Sequence, residues 1–305
     1  MHTRKILVPL DGSPVSEAAL PFAEALAHRT GAPLALIRAE HTQSMPAIAD
    51  AEHYLDGFAE QLANRGLAAE TGVAFGSAAD WIIEEISLRN ATLVVMATHD
   101  RSGPDRWLHG SIAESVISRA SVPVLVVRAT AGARPVERFE QPHPVLVVPL
   151  DGSELAEAAL LVATQLAAEL NGSLALVSVV PRPGQIVYAE GIGVPHSKAD
   201  SDRLLREAET YLHAAASQIG FQSVLARTVR KGDPAVEIAA EAGERGAAAI
   251  IMATHGRAGA LRTLLGSVAG QVVHTSDVPV VLVRPPTLRS AEEPVGRGVV
   301  ATAAS

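Results

Sequence analysis

The sequence predicts an α/β protein made of two copies of one open five-stranded parallel sheet flanked by helices. Three observations carry that expectation. Blocks of sequence recur at long spacing, short continuous apolar runs alternate with helical patterns, and the composition is aliphatic, 48% hydrophobic but only 3% aromatic. Small aliphatic side chains suit helices packed closely on both faces of a parallel sheet. Ile6-Leu-Val-Pro-Leu-Asp-Gly-Ser13 returns as Leu146-Val-Val-Pro-Leu-Asp-Gly-Ser153, a shift of 140. Val94-Val-Met-Ala-Thr-His99 returns as Ile250-Ile-Met-Ala-Thr-His255, and Gly110-Ser111 with Val122-Pro123 returns as Gly266-Ser267 with Val278-Pro279, both shifted by 156. The change of shift places about sixteen extra residues in the second copy, around Pro181 to Lys198, a Gly/Pro-rich stretch without periodicity. The period is too long for a solenoid and reads as a duplicated domain.

The elements follow in order. Residues 5–10 and 145–150 are short apolar runs, as expected of strands buried on both faces. Each leads through Asp-Gly-Ser into a helix. Val15, Ala19, Phe22 and Leu26 share one face in the first copy, and Leu155, Ala159, Val162 and Leu166 do so in the second. Ser13 with Pro14 supplies an N-cap and a first helical residue, and Gly31 and Gly172 are expected to stop the two helices. Second strands are expected at 34–39 and 174–180, with helices over about 51–64 and 202–218. Third strands lie near 71–75 and 224–229, followed by helices near 78–89 and 234–244. Fourth strands are 92–97 and 248–253. A helix opening at Gly-Ser then precedes each fifth strand, 122–127 or 278–283. The alternation βαβαβαβαβ, found twice, is that of an open parallel sheet. Residues 1–131 and 144–286 are the two domains, 132–143 the linker, and 287–305 a tail expected to be disordered. The fifth strands are uncharged, β-branched edges that need cover, so they are expected to pair antiparallel and make the chain an internal pseudo-dimer. Association of whole chains into a homodimer is compatible with this.

Several function classes drop out on composition. With 25 Lys+Arg against 33 Asp+Glu the formal charge is −8, and no basic cluster offers itself to nucleic acid or an anionic membrane. The absence of cysteine removes disulfides, thiolate metal sites and thiol catalysis. No apolar run spans a bilayer and no signal-peptide pattern precedes Asp11, so a soluble, cytoplasmic protein is expected. No Gly-x4-Gly-Lys-Ser/Thr occurs, and Gly191-Ile-Gly193 fails as a dinucleotide fingerprint because no strand is expected before it and Pro195-His196 stands where a helix should start.

In open α/β sheets, ligands bind beyond the carboxyl ends of the strands where strand order reverses. Asp11 and Asp151 end the first strand of each copy, and the Ala-Thr-His loops end the fourth. Gly256 permits close backbone approach, and the helix opened by Gly266-Ser267 favours an anion such as phosphate through its free N–H groups and positive dipole end. Asp151 is an acceptor for a ribose hydroxyl or a base amino group, or alternatively for its own turn. His99 and His255 read as loop-ordering residues.

The spacing Ala253-x2-Gly256-x9-Gly266-Ser267, with Val-Pro-Leu-Asp-Gly-Ser and the closing Val-Pro-Val, resembles the universal stress protein family, both copies being covered nearly end to end. That resemblance implies a Rossmann-like fold of the adenine nucleotide alpha hydrolase-like kind, ATP as ligand with or without Mg²⁺, and a stress-response role through nucleotide-dependent regulation rather than fast chemistry. It assigns Pro149 and Asp151 to the adenosine, Val179 to the adenine, and Met252, Ala253, Gly256, Gly266, Ser267 and Val268 to ribose and phosphates. The matching positions of the first copy are Pro9, Asp11, Met96, Ala97, Gly110, Ser111 and Ile112. There Asp100 replaces the glycine at 256, and its charge beside a phosphate costs about 1–4 kcal/mol at 4 Å. The first site is therefore expected to be the weaker. A slow ATP hydrolase and an interaction module with a degenerate first site are the alternatives; no catalytic residue and no metal-ligand cluster is evident, and the protein partner is unknown.

Overall fold

The computed structural model describes residues 5–40, 44–98, 111–129, 134–184, 186–189, 192–195, 197–220, 223–254 and 265–285. The first half runs β1 (Lys5–Pro9), α1 (Pro14–Glu17), α2 (Leu20–Thr30), β2 (Leu34–Glu40), α3 (Met45–Asn64), β3 (Ala69–Phe75), α4 (Ala78–Leu88), β4 (Ala91–Thr98), α5 (Ser111–Arg119) and β5 (Val124–Arg128). A connector helix follows, α6 (Arg134–Glu140). The second half runs β6 (Val145–Pro149), α7 (Glu154–Leu170), β7 (Ser173–Val180), β8 (Ile186–Ala189), β9 (Ile192–Pro195), α8 (Lys198–Ile219), β10 (Val224–Lys231), α9 (Pro234–Glu244), β11 (Ala249–Ala253), α10 (Ser267–Thr275) and β12 (Val280–Val283).

Apolar strands of this kind must be covered on both faces, and they are. Leu7, Ile37, Val94 and Val126 turn toward α4 and α5, while Val8, Leu36, Val95 and Leu125 turn toward α2, α3 and α7. Each half has its own strand order, 3-2-1-4-5, with the reversal between β1 and β4 or between β6 and β11. The two five-stranded sheets are continuous, in the order β10-β7-β6-β11-β12-β5-β4-β1-β2-β3. Within each five-stranded sheet the strands pair in parallel, and β12 meets β5 antiparallel. The register pairs Val281 with Leu125, residues that are 156 apart and thus equivalent in the repeat. A pseudo-two-fold axis passes between them.

Some boundaries differ from the sequence reading for local physical reasons. The first helix is broken into α1 and α2 at Ala18–Ala19. Gly31 closes α2 in the left-handed conformation, φ 70°, but Asn171, not Gly172, closes α7, at φ 51°. Gly172 answers a different need: a Cβ there would lie 2.6 Å from the Pro144 carbonyl oxygen. The extra segment of the second half is not featureless, since β8 and β9 form an antiparallel hairpin. A strand therefore precedes Gly191, but it pairs as a hairpin and not as part of a βαβ unit. The connector carries α6, whose Phe139 is fully buried edge-on against Phe22 at 6.3 Å. At the edge strand β10, Arg230 holds Glu237, Glu241 and Glu244 of α9 at 3.0, 2.6 and 2.8 Å.

Candidate functional site

The carboxyl ends of β6, β7 and β11 and the start of α10 meet at the point where strand order reverses in the second half. After β6 the chain turns at Gly152, φ 79°, a conformation that favours glycine. The Asp151 Oδ1 accepts from the Ser153 N–H at 3.0 Å and the Ser153 hydroxyl at 2.6 Å, and Ser153 Oγ caps α7 by accepting from the Ala156 N–H at 3.2 Å. In the first half Asp11 Oδ1 accepts from the Ser13 N–H at 2.9 Å, and Ser13 Oγ from the Ser16 N–H at 3.2 Å. Both aspartates thus serve their own turns. Partial desolvation pushes the Asp11 carboxyl up, but hydrogen bonds from the Ser13 and Ser16 hydroxyls and from backbone N–H groups outweigh it and hold the group below the usual range.

Strand alternation decides which candidate side chains share a face. Met252, Val179 and Val268 lie in or against the apolar layer under α9 and α10, joined by Leu265, which sequence reasoning missed. The side chain of Ala253 turns to the opposite layer, under α7. Pro149 is buried at the end of β6. In the first half Met96 occupies the layer under α4 and α5, Ala97 the opposite one, and Ile112 is 39% exposed on α5. Pro9 ends β1, half-buried, and Ser111 opens α5. Gly110, Gly256, Asp100, His99 and His255 lie outside the described residues.

The start of α10 carries no side-chain cap among the described residues. Gly266 is its N-cap, in extended conformation at φ −60° and ψ 149°, and makes no side-chain cap hydrogen bond. The Gly266 N–H is spent on the carbonyl of the buried Thr254 at 2.7 Å, which anchors the helix start to the end of β11. Exposed Ser267 follows, and the first-turn N–H groups beyond it receive nothing from a capping side chain. A phosphate or carboxylate at such a helix end gains about 0.3–1 kcal/mol from the dipole alone. Among the described residues no group of three His, Asp or Glu side chains could hold a metal ion, and no helix is long and apolar enough to cross a membrane.

A second feature escaped the sequence reading. Tyr54 of α3 donates to Glu17 of α1 at 2.9 Å, and Tyr211 of α8 donates to Glu157 of α7 at 3.2 Å. These equivalent pairs tie the helix after the Asp-Gly-Ser turn to the helix after the second strand. Burial and the Glu17 acceptor push the Tyr54 phenol up. The first half adds Arg38, paired with Glu40 at 2.7 Å and set over the Tyr54 ring at 5.0 Å. A Cβ on Gly12 would come within 3.0 Å of its guanidinium. The recurrence of Glu17 and Tyr54 as Glu157 and Tyr211 was the signal available in the sequence.

Comparison with known proteins finds the same arrangement elsewhere. The family model described as the universal stress protein family matches residues 2–128 and again 144–284. A universal stress protein of Mycobacterium bovis is 28% identical over 223 residues, covering 73% of this chain and 71% of its own. The solved structure of a universal stress protein from Archaeoglobus fulgidus superposes with a TM-score of 0.67 at 21% identity, over 93% of this chain and 99% of its own. A Pseudomonas aeruginosa protein described as functionally unknown superposes with a TM-score of 0.66 at 18% identity, over 95% of each chain.

Proposed function

Because this chain belongs to the universal stress protein family, with two matches in tandem, we propose that it binds an adenine nucleotide, ATP foremost, chiefly in its second half. Occupancy there regulates the stress response by biasing conformation or a partner surface, with turnover slow or nil. The observation that supports the reading is the start of α10, whose Gly266 N-cap makes no side-chain cap hydrogen bond and is anchored to Thr254 after β11, the strand next to β6 at the reversal of strand order. First-turn N–H groups that no described side chain caps, with the Ser267 hydroxyl, supply donors for phosphate without a lysine. Met252, Val179 and Val268, gathered in one apolar layer, form a floor that suits a flat base and ribose. Pro149 and Asp151 bound the adenosine, Ala253 contributes backbone at the end of β11, and Gly256 and Gly266 let the chain approach the phosphates. Mg²⁺ enters with the nucleotide. Pro9, Asp11, Met96, Ala97, Gly110, Ser111 and Ile112 form the weaker first site.

The test is to denature the protein purified without added nucleotide and identify what it releases by chromatography and mass spectrometry. The reading predicts an adenine nucleotide near one per chain or below. A protein that releases none, and takes up none when ATP is added, is an interaction module instead.

A further inference from the structure

The pseudo-two-fold axis relates α2 to α7, and the seats on these two helices differ. On α2 the seat is filled by the connector helix α6: Phe139 is 0% exposed against Phe22, and Arg138 donates to the Ala247 carbonyl at 3.1 Å. The repeat carries Phe22, Ala25, Leu26 and Arg29 of α2 onto Val162, Gln165, Leu166 and Glu169 of α7. Those four α7 residues line a cavity of about 320 Å³, together with Leu93 and Val122 at the entries to β4 and β5. Ala247 maps onto Ala91, which opens β4 beside that cavity. The cavity, which Leu26 and Thr30 of α2 also line, corresponds through the repeat to the seat that takes Phe139.

We propose that this cavity is the docking site of the chain's own C-terminal segment, residues 286–305, which seats there as α6 seats on α2. Connectivity supports it. α6 follows β5, and the equivalent strand β12 ends at Val283, so the repeat delivers the C-terminal segment to the second seat as it delivers α6 to the first. The sequence supports it independently. Pro135-Val136-Glu137-Arg138 of α6 recurs as Pro294-Val295-Gly296-Arg297, shifted by 159, three more than the blocks that precede it. Phe139 follows directly in α6; in the C-terminal segment Val299 and Val300 follow one residue later, after Gly298. From Pro285 to Val299 the chain can extend about 45 Å, so reach is not limiting. Burying two valines removes apolar surface from water on both sides of the contact.

The chain has no cysteine, so an introduced pair reports proximity cleanly. Full-length protein carrying Val162→Cys and Val299→Cys, oxidised mildly at low concentration, is expected to form an intrachain disulfide visible on a non-reducing gel. The control pairs Leu161→Cys with Val299→Cys. Leu161 neighbours Val162 in sequence but is 65% exposed, so with the tether unchanged its bond should form about tenfold more slowly. Equal rates in the two pairs overturn the proposal. So does a disulfide between chains in place of the intrachain one, which would assign the seat to a second copy. Hydrogen exchange of the cysteine-free chain gives an independent reading: ending it at Pro285 should speed exchange at residues 121–122 and 162–169. Unchanged exchange there overturns the proposal even if the cysteine variants fold poorly.

Discussion

At the scale of single residues, the two halves differ most where a carboxylate stands for a glycine. Asp100 occupies the position of Gly256, and like charges about 4 Å apart oppose each other by about 1–4 kcal/mol. Asp100→Gly should therefore tighten the first site about fivefold or more, and more without Mg²⁺, since a cation already offsets part of the repulsion. Calorimetry in a background with the second site disabled checks this; unchanged affinity would mean that Asp100 points away from the ligand. Residue roles were legible where one constraint acted alone. Ser13 caps its helix as its position before Pro14 suggests, and Ser153 repeats the cap in the second half. Gly172 misled, because its glycine answers the Pro144 carbonyl and not a helix end, while Asn171 takes the left-handed turn. The loops carrying Asp100 and Gly256 lie outside the described residues, so their part in the site rests on sequence register.

At the scale of elements, strands buried on both faces announce themselves as apolar runs, and those of both copies were readable to within a few residues. The elements that escaped lack such a pattern. The hairpin β8–β9 is interrupted by Gly191 and Gly193, and α6 is short, opens with Arg134-Pro135 and is set among prolines and glycines. Yet α6 is anchored by Phe139, so Phe139→Ala should cost about 3–5 kcal/mol in urea-induced unfolding. A loss under about 1 kcal/mol would show that the helix contributes little to holding the halves together. At the edge strand β10, burial pushes the Glu241 carboxyl up, but Arg245 and Arg230 outweigh it and hold it below the usual glutamate range. A carboxyl lowered on folding contributes stability that is complete above its unfolded pKa and is lost as pH falls through the folded one. Stability should therefore be flat near neutrality and fall below about pH 4.5. Arg230→Met should cost about 1–3 kcal/mol at pH 7, less than full loss because Arg245 remains, and should flatten that acid limb. An acid limb of unchanged slope would place the main acid-sensitive groups elsewhere.

At the scale of the whole molecule, duplication supplies an edge for each half to cover, and β5 and β12 cover one another through residues that are equivalent in the repeat. That pairing was readable from the exposed, β-branched fifth strands; the connector's part in it was not, because a burial partner such as Phe22 is known only once the halves are joined. Cutting the chain at a protease site placed near residues 132–135 should leave the halves co-eluting in gel filtration until denatured. Halves that separate at micromolar concentration would show that the joined sheet depends on the covalent link. The same symmetry makes the two ligand sites comparable within one chain, which lets a single titration weigh the central claim. Calorimetric titration of ATP into the unaltered chain and into Gly266→Glu, which sets bulk and negative charge at the start of α10, is that measurement. The account predicts a tighter and a weaker binding event in the unaltered chain and loss of the tighter one alone in the variant. Tight binding that persists in Gly266→Glu would contradict it.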